Sequence, residues 1–466
     1  MKMWAGRFRQ PLDPEFERWQ RSFPFDHRLI GEELSASLAH ARALAGAGVL
    51  SQAELDSILH GLEEIGRQAA NLELLHDEEA EDVHHFVEKR LVALIGEAGY
   101  KLHSGRSRNE QIATDLRLYV RRAIDNLQGG LGELLEALVA RAEKSGVAAM
   151  PSYTHLQPAE PVLVAHWLLA YVEMFFRDSS RLADCRKRLN QCPLGSGAVA
   201  GSTLPLDRNA MATNLGFDQP AANSLDTTSD RDFAIEFVQA LSLLAVHLSR
   251  FAEEMILFST REFGFVRLPE AYSTGSSAMP QKQNPDSMEL IRGKAARVIG
   301  DATSLVATVK GLPLAYNKDL QETQEPVFSA AETMQASVSI ATGFMSAVEF
   351  DYERMHAAAG SGFMNAMAAA HYLVARGVPF RRAHEQIGRA VQWCLEKRCE
   401  LADMPLDDLH RFAPEADRDF YSHLTLDAVL ACHNVEGGTA PARVRQALAE
   451  ARERLAALRG EQHAHA

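Results

Sequence analysis

The chain reads as an all-α protein: three helical domains around a central bundle of long helices, assembled as a homo-oligomer. Long segments with helical apolar spacing dominate, while runs of alternating β-branched residues are scarce. The Gly-rich and polar stretches fall between those segments. A length of 466 residues exceeds what one small core can organise.

The clearest segment, Asp230 to Phe263, contains neither Gly nor Pro. Phe233, Phe237, Leu241, Leu244, Leu248, Phe251, Met255 and Phe258 follow one another at spacings of four and three residues, the seam of a helix packed in a bundle. Such a helix would reach roughly 50 Å. Glu110 to Lys144, Pro161 to Leu189, Ser287 to Lys310 and Pro326 to Phe350 are the other long candidates, with Pro161 and Pro326 suited to a first helical turn. Each offers more apolar surface than a monomer covers, so self-association is expected. Domain boundaries are expected near 102 and 358, giving 1–102, 103–358 and 359–466.

Apolar residues make up 46% and charged residues 24%, an ordinary globular balance. A formal charge of -14 disfavours nucleic acid as a partner, and basic groups must be gathered locally if the ligand is anionic. Five cysteines form no CxxC pair and leave an odd count, which points to a reducing, cytoplasmic setting and to no structural zinc. The start MKMWAGRFRQ lacks the apolar region of a signal peptide. The most apolar stretch, Val162 to Phe176, is interrupted by His166 and Glu173 and is too short to span a bilayer, so no membrane is expected. The tail from Glu461 to Ala466 is expected to fray.

Chemistry concentrates in the loops at Leu102 to Asn109, Pro151 to Gln157, Gly195 to Thr203 and Ala271 to Asp286. In the last, Gly275, Ser276 and Ser277 supply close-approach amides and hydroxyls, Lys282 a positive charge and Asn284 an amide donor, held between Pro280 and Pro285. Gly, Ser, Pro and Asn are generic loop residues, but a lysine between two prolines beside paired serines is unusual for a linker.

This stretch resembles the GSSxMPxKxNP signature of the fumarase/aspartase superfamily, and its MPQKxNPD form resembles the argininosuccinate lyase family within it. The resemblance continues through Met3 to Phe8, His103 to Asn109, Ser152 to Ala159, Gly195 to Arg208, Ser229 to Asp232 and Ala315 to Glu322, in the family's order across roughly the first 330 residues. It implies a homotetramer that eliminates fumarate from argininosuccinate, without metal or organic cofactor. Elimination needs a base, a stabiliser of the charge-rich intermediate and an acid for the leaving nitrogen. By resemblance Ser276 is the base, His155 the acid, and Lys282 and Asn284 hold the intermediate. Glu289 matches the glutamate that orients the histidine. Substrate binding carries over to Ser22, Asp82, Asn109, Thr154, Arg231, Tyr316 and Gln321. Arg231 suits a substrate carboxylate. Asp82 suits the cationic half, although its run from Asp77 also reads as a solvated acidic loop.

Two positions depart from the family pattern: Glu110 stands where Asp is usual, and Gln324 where many members carry a substrate-contacting Lys. Other superfamily lyases (adenylosuccinate lyase, fumarase, aspartase) share the serine loop but not the HSGRSRN and AYNKDLQE blocks. A catalytically silent relative would have lost one of His155, Ser276, Lys282 and Glu289, and all four are present. A helical scaffold that only binds partners would account for the bundle but not for the motifs.

Overall fold

The computed structural model describes residues 10–69 and 77–465. It is mostly helical, at 68% helix, in keeping with the expected class. The Met3 to Phe8 block lies outside the described residues. After two short helical segments, Pro14–Trp19 and Phe23–Asp26, come α1 (Ile30–Gly46), α2 (Gln52–Ala69) and α3 (Val83–Ile95). The long helices are α4 (Arg108–Ser145), α5 (Val164–Leu189), α6 (Asp232–Ser259), α7 (Asp286–Val309) and α8 (Gln324–Ala347).

The expected seam of α6 is buried along its whole length, with no seam residue more than 3% exposed. Among the described residues α6 is also the one helix long and apolar enough to cross a membrane, and half of its most apolar window is buried inside the fold. Its hydropathy is that of a core helix. The Val162 to Phe176 stretch singled out from the sequence does not meet that measure.

Pro161 does not open a helix. It lies in strand β2 (Gln157–Leu163), antiparallel to β1 (Ala149–Thr154), directly opposite Pro151. Gln157 and Glu160 each precede a proline, which pushes both toward extended backbone. In a two-stranded ladder the missing N–H groups of Pro151 and Pro161 can face outward at no cost. The helix then begins three residues later, at Val164.

The chain forms two compact units, and each long helix contributes to both. The first contains residues 1–126, 181–242 and 297–334. Within it Asp125 on α4 pairs with Arg186 on α5 at 2.6 Å, Arg117 on α4 pairs with Asp230 just ahead of α6, and the Tyr119 ring meets Phe328 of α8 edge-on. Its core draws Phe23 from the short segment ahead of α1, and Leu44, Ile58, Phe86 and Leu91 from α1 to α3.

The second unit contains residues 127–180, 243–296 and 335–466. There Gln128 of α4 donates to the Ser179 carbonyl of α5 at 2.8 Å, and Asp178 of α5 meets His247 of α6 at 2.6 Å. Glu254 of α6 accepts from Trp167 and Tyr171 of α5. Further helices of this unit include α9 (Tyr352–Ala359), α10 (Ala366–Ala375), α11 (Phe380–Lys397) and α12 (Pro441–His465). A separate core surrounds α10 and α11. The backbone of α12 stays helical through His465, so the tail expected to fray is ordered as helix. Arg452 of α12 anchors it by pairing with Glu136 and Glu143 of α4.

One contact holds the approach to the loop at 273–286. Tyr272 lies against Gly343 of α8, where an added Cβ would fall 1.9 Å from the phenol oxygen, and its ring packs on Phe344. In an unobstructed helix, Gly→Ala would stabilise by about 1 kcal/mol. Here we expect Gly343→Ala to destabilise by about 1–3 kcal/mol through overpacking, read as a lowered Tm. Tyr272→Phe in the same background should recover part of the loss; a Gly343→Ala protein of raised Tm would show that Tyr272 does not fill this space.

Candidate active site

His155 sits at the tip of the β1–β2 hairpin. Thr154 pairs with Gln157, leaving His155 and Leu156 as a two-residue turn. Both have positive φ, 55° and 57°, as a type I′ turn requires and as non-glycine residues rarely adopt. Short connections of this kind favour Asn-Gly. A histidine and a leucine held there store strain at an exposed turn. The hairpin below is rigid: Ser152 Oγ donates to the Glu160 carbonyl at 2.7 Å and accepts its N–H at 3.3 Å, while Tyr153 packs between Phe258 and Phe263.

Ser276 lies in a second small hairpin, β3 (Thr274–Gly275) against β4 (Gln283–Asn284). Its Oγ accepts the backbone N–H groups of Ala278 at 3.3 Å and Met279 at 3.1 Å. Two amides aimed at one hydroxyl oxygen favour its ionised form, the requirement for a serine that takes a carbon-bound proton. The Lys282 N–H donates to the Met279 carbonyl at 3.0 Å and closes the turn, leaving the ammonium exposed. Asn284 Nδ2 donates to Thr274 Oγ1 and the Gly275 carbonyl, each at 3.4 Å. Thr274 in turn bonds Asp286 in the first turn of α7. Glu289 follows one turn on and is exposed. Among the described residues no hydrogen bond or ion pair joins His155 to Glu289 or Ser276.

The other expected residues belong to the first unit, and several of them meet. The Ser22 hydroxyl donates to Asp26 Oδ2 at 2.6 Å, and Asp26 Oδ1 accepts the Val83 N–H at 3.0 Å. Asp82 caps α3 by accepting the His85 N–H at 2.7 Å, and its other oxygen receives Arg108 at 2.8 Å. It is thus fixed rather than part of a loose solvated loop. Gln321 donates to the Gln20 carbonyl at 3.2 Å, next to this group.

The charges of this group are tuned by burial. The Asp26 carboxyl is pushed up to about 7, first by burial and then by the neighbouring Asp82. Arg231 is 1% exposed; among the described residues its Nη1 has the Asp230 carbonyl as partner, while Nε and Nη2 have none. Burial lowers its pKa to about 10, against the pull of Tyr316 and Asp230. A buried guanidinium with two free donors is suited to an anionic ligand. The phenol of Tyr316 is raised by burial, with Arg231 opposing.

Asn109 opens α4 and donates from Nδ2 to the Ala198 carbonyl at 3.2 Å. Glu110, the first departure from the family pattern, is fully buried and accepts the Ser107 N–H at 3.0 Å and the Gly197 N–H at 2.9 Å. It ties the helix start to the 195–203 loop. Gln324, the second departure, is 2% exposed and its Oε1 has no partner.

Beneath this group lies a buried polar network centred on Glu33. Its carboxylate meets His84 Nδ1 at 2.9 Å, Gln111 Nε2 at 3.3 Å, Ser37 Oγ at 2.6 Å and Arg106 at 3.6 Å. Burial opposes its charge, but Arg106 and His84 outweigh that and hold its pKa well below the usual range. Asp115 beside it is pushed well above, by burial and then by Glu33. The ligand atoms of Glu33, His84 and Asp115 lie within 4.8 Å of one another, close enough to hold a cation. A guanidinium and an amide already face the carboxylate. The network joins α1, α3 and the start of α4, and so aligns Asp82 with Asn109.

The chain thus collects Ser22, Asp82, Asn109, Arg231, Tyr316 and Gln321 in one unit, and Thr154, His155, Ser276, Lys282, Asn284 and Glu289 in the other. Sequence reading missed Asp26, Arg108 and the Glu33 network. The spacing of Ser22 and Asp26 was the available signal, since residues four apart on one helical turn face each other.

Comparison with known proteins agrees with the residues. The Lyase family matches residues 6–300, and the family described as Argininosuccinate lyase C-terminal matches 363–431. The chain is 62% identical to the argininosuccinate lyase of Koribacter versatilis (strain Ellin345), covering all of both chains. It is 57% identical to that of Acidobacterium capsulatum, over 96% of this chain and 93% of the relative. Among solved structures it is similar to EDDS lyase in complex with formate, with a TM-score of 0.84 at 25% identity, covering 98% and 93%. The 3-carboxy-cis,cis-muconate lactonizing enzyme of Pseudomonas putida shares the fold at 23% identity, with a TM-score of 0.75 over 94% and 97%.

Asp26 carries a pH signature. Its carboxyl is near 4 in an unfolded chain and about 7 in the folded one. A raised carboxyl stabilises the fold below the unfolded value, and that contribution is lost as pH rises toward the folded one. The free protein should therefore lose stability relative to Asp26→Asn between about pH 4 and pH 7, by up to about 1.4 kcal/mol per pH unit. Thermal unfolding of both proteins across that range checks it; parallel curves would place the Asp26 carboxyl at an ordinary value.

Proposed function

Because the chain belongs to the argininosuccinate lyase family of the fumarase/aspartase superfamily, and cleaves the carbon–nitrogen bond of argininosuccinate to release arginine and fumarate, we propose the following division of work among its residues. Ser276 removes the proton from the carbon next to the substrate carboxylate. The Ala278 and Met279 amides, with Lys282, stabilise the ionised hydroxyl, and that paired-amide contact is the observation that carries the assignment. Lys282 and Asn284 hold the charge-rich intermediate. His155 delivers a proton to the departing nitrogen, oriented by Glu289.

Arg231 takes a carboxylate with its two free donors, and Tyr316, Gln321, Asn109, Thr154 and Ser22 bind the remaining polar groups. Asp82, with Asp26 beside it, faces the cationic arginine half. The reading includes the three-domain division at 102 and 358, supported by a C-terminal family match that starts at 363. It also places the reaction in the cytoplasm, consistent with five free cysteines.

We further propose that the site is completed in a homotetramer. Binding and catalytic residues belong largely to different units of one chain. The long helices carry exposed apolar side chains, Leu243 and Val246 on α6 and Leu290, Ile299 and Val306 on α7, which a second copy would cover.

Ser276→Ala and His155→Ala should each lower kcat by at least ~10²-fold with the fold intact. Refolded as an equal mixture they should recover roughly a quarter of wild-type activity, because random assembly leaves that share of sites with both native residues. A tetrameric mixture without activity would place both residues on one chain.

Gln324→Lys should lower KM for argininosuccinate with little change in kcat, the pattern of a contact made equally in ground and transition states. A buried lysine without an anion costs stability, so the free variant should also show a lower Tm that substrate restores. An unchanged KM would mean the position does not reach the substrate.

A further inference from the structure

Helix α11 ends in a left-handed residue, Arg398, at φ 56° and ψ 44°. The Arg398 N–H bonds the Leu395 carbonyl at 3.3 Å, and the Cys399 N–H reaches back to the Cys394 carbonyl at 3.1 Å. That second bond spans six residues and defines a helix-ending motif that sets two side chains against each other, ordinarily as an apolar contact. In this chain the two positions are Cys394 and Cys399.

Their surroundings reinforce the pairing. Cys394 is fully buried, Cys399 is half-buried, and both pack on the core that contains Leu401, Met404 and Tyr421. The Cys394 thiol donates to the Glu400 carbonyl at 3.8 Å, and, after burial, the neighbouring Cys399 thiol helps to raise its pKa. Both are free. The backbone bond between the two residues also holds their Cα atoms near the range a disulfide needs, roughly 4.4–6.8 Å. Nothing in the elimination chemistry uses either thiol.

We infer that Cys394 and Cys399 form a dithiol site that closes to an intramolecular disulfide on exchange with a small-molecule disulfide of the glutathione type. The Cys399 thiolate, the accessible one, attacks a sulfur of the reagent and expels one thiolate. Cys394 then attacks Cys399 Sγ, forms the internal S–S bond and expels the second thiolate, losing its own proton. Two protein thiols and one disulfide become one protein disulfide and two small thiols, with no other oxidant. The Cys394 thiol is pushed up to about 12, first by burial and then by the Cys399 thiol. The second influence ends once Cys399 is capped; the first persists, so ring closure is the slow step.

Cys432 is exposed and would trap the reagent itself, so the test uses full-length Cys432→Ser protein. It is incubated natively with glutathione disulfide, alkylated, denatured and digested with trypsin, which cuts at Lys397 and Arg398 between the two cysteines. The expected result is a cross-linked peptide pair joining Cys394 to Cys399, without retained glutathione and reversed by dithiothreitol. Cys394→Ser should stop one step earlier, keeping one glutathione on Cys399, and Cys399→Ser should leave Cys394 unreactive in the folded protein. Glutathione retained on Cys399 while Cys394 is present, or both thiols still free for alkylation while Cys432 reacts in a parallel wild-type sample, would overturn the inference.

Discussion

The seam of α6 is the constraint on which the rest of the molecule depends. Eight large apolar residues along one face are removed from water, at roughly 1.5–3 kcal/mol for each large side chain. That burial commits α6 to a central position, and α5 meets it in both units through contacts such as Cys185 with the Phe233 carbonyl and Asp178 with His247. Once the long helices are fixed, the connections between them become the place for chemistry. Short loops on a rigid body can hold polar groups in geometries that a free chain would not populate.

Those loops carry strain where the proposed reaction is placed. His155 and Leu156 both occupy left-handed backbone, a conformation costing about 1–2 kcal/mol for each ordinary residue. The ladder beneath, with Ser152 bonded across to Glu160 and Tyr153 locked between two phenylalanines, over-determines the turn and sustains it. Ser276 shows the complementary arrangement: its oxygen accepts two amides, a setting that would favour negative charge there, as the proposed role requires.

Electrostatics in the first unit follow the same principle at greater depth. Two carboxyls, Asp26 and Asp82, are close enough to raise the pKa of Asp26, and a cationic ligand would relieve that repulsion. Arg231 presents the opposite case, a buried cation short of partners that an anionic group would satisfy. Both are costly to bury without a partner of opposite charge, in contrast to the Glu33 carboxylate, which has imidazole, amide, hydroxyl and guanidinium partners. A substrate with both signs of charge settles both debts at once, which is a physical basis for selectivity.

The amino-acid sequence by itself determined the helical class, the five long helices to within a few residues, and the loops to which the proposed chemistry is assigned. Apolar periodicity and residue type are local properties, and the α6 seam and the serine loop are legible in them. The sequence misjudged Pro161, because whether a proline starts a helix or lies in a strand depends on the partner across the hairpin, here Pro151. It missed Asp26, whose altered carboxyl arises from burial and from Asp82, far along the chain. The sequence reading found no CxxC pair, and the cysteines are free; that Cys394 and Cys399 occupy facing positions depends on a left-handed residue at the end of α11, which spacing alone does not reveal. Burial, charge coupling and the meeting of distant side chains exist only once the chain has closed on itself, and for that reason the tertiary structure alone decided them.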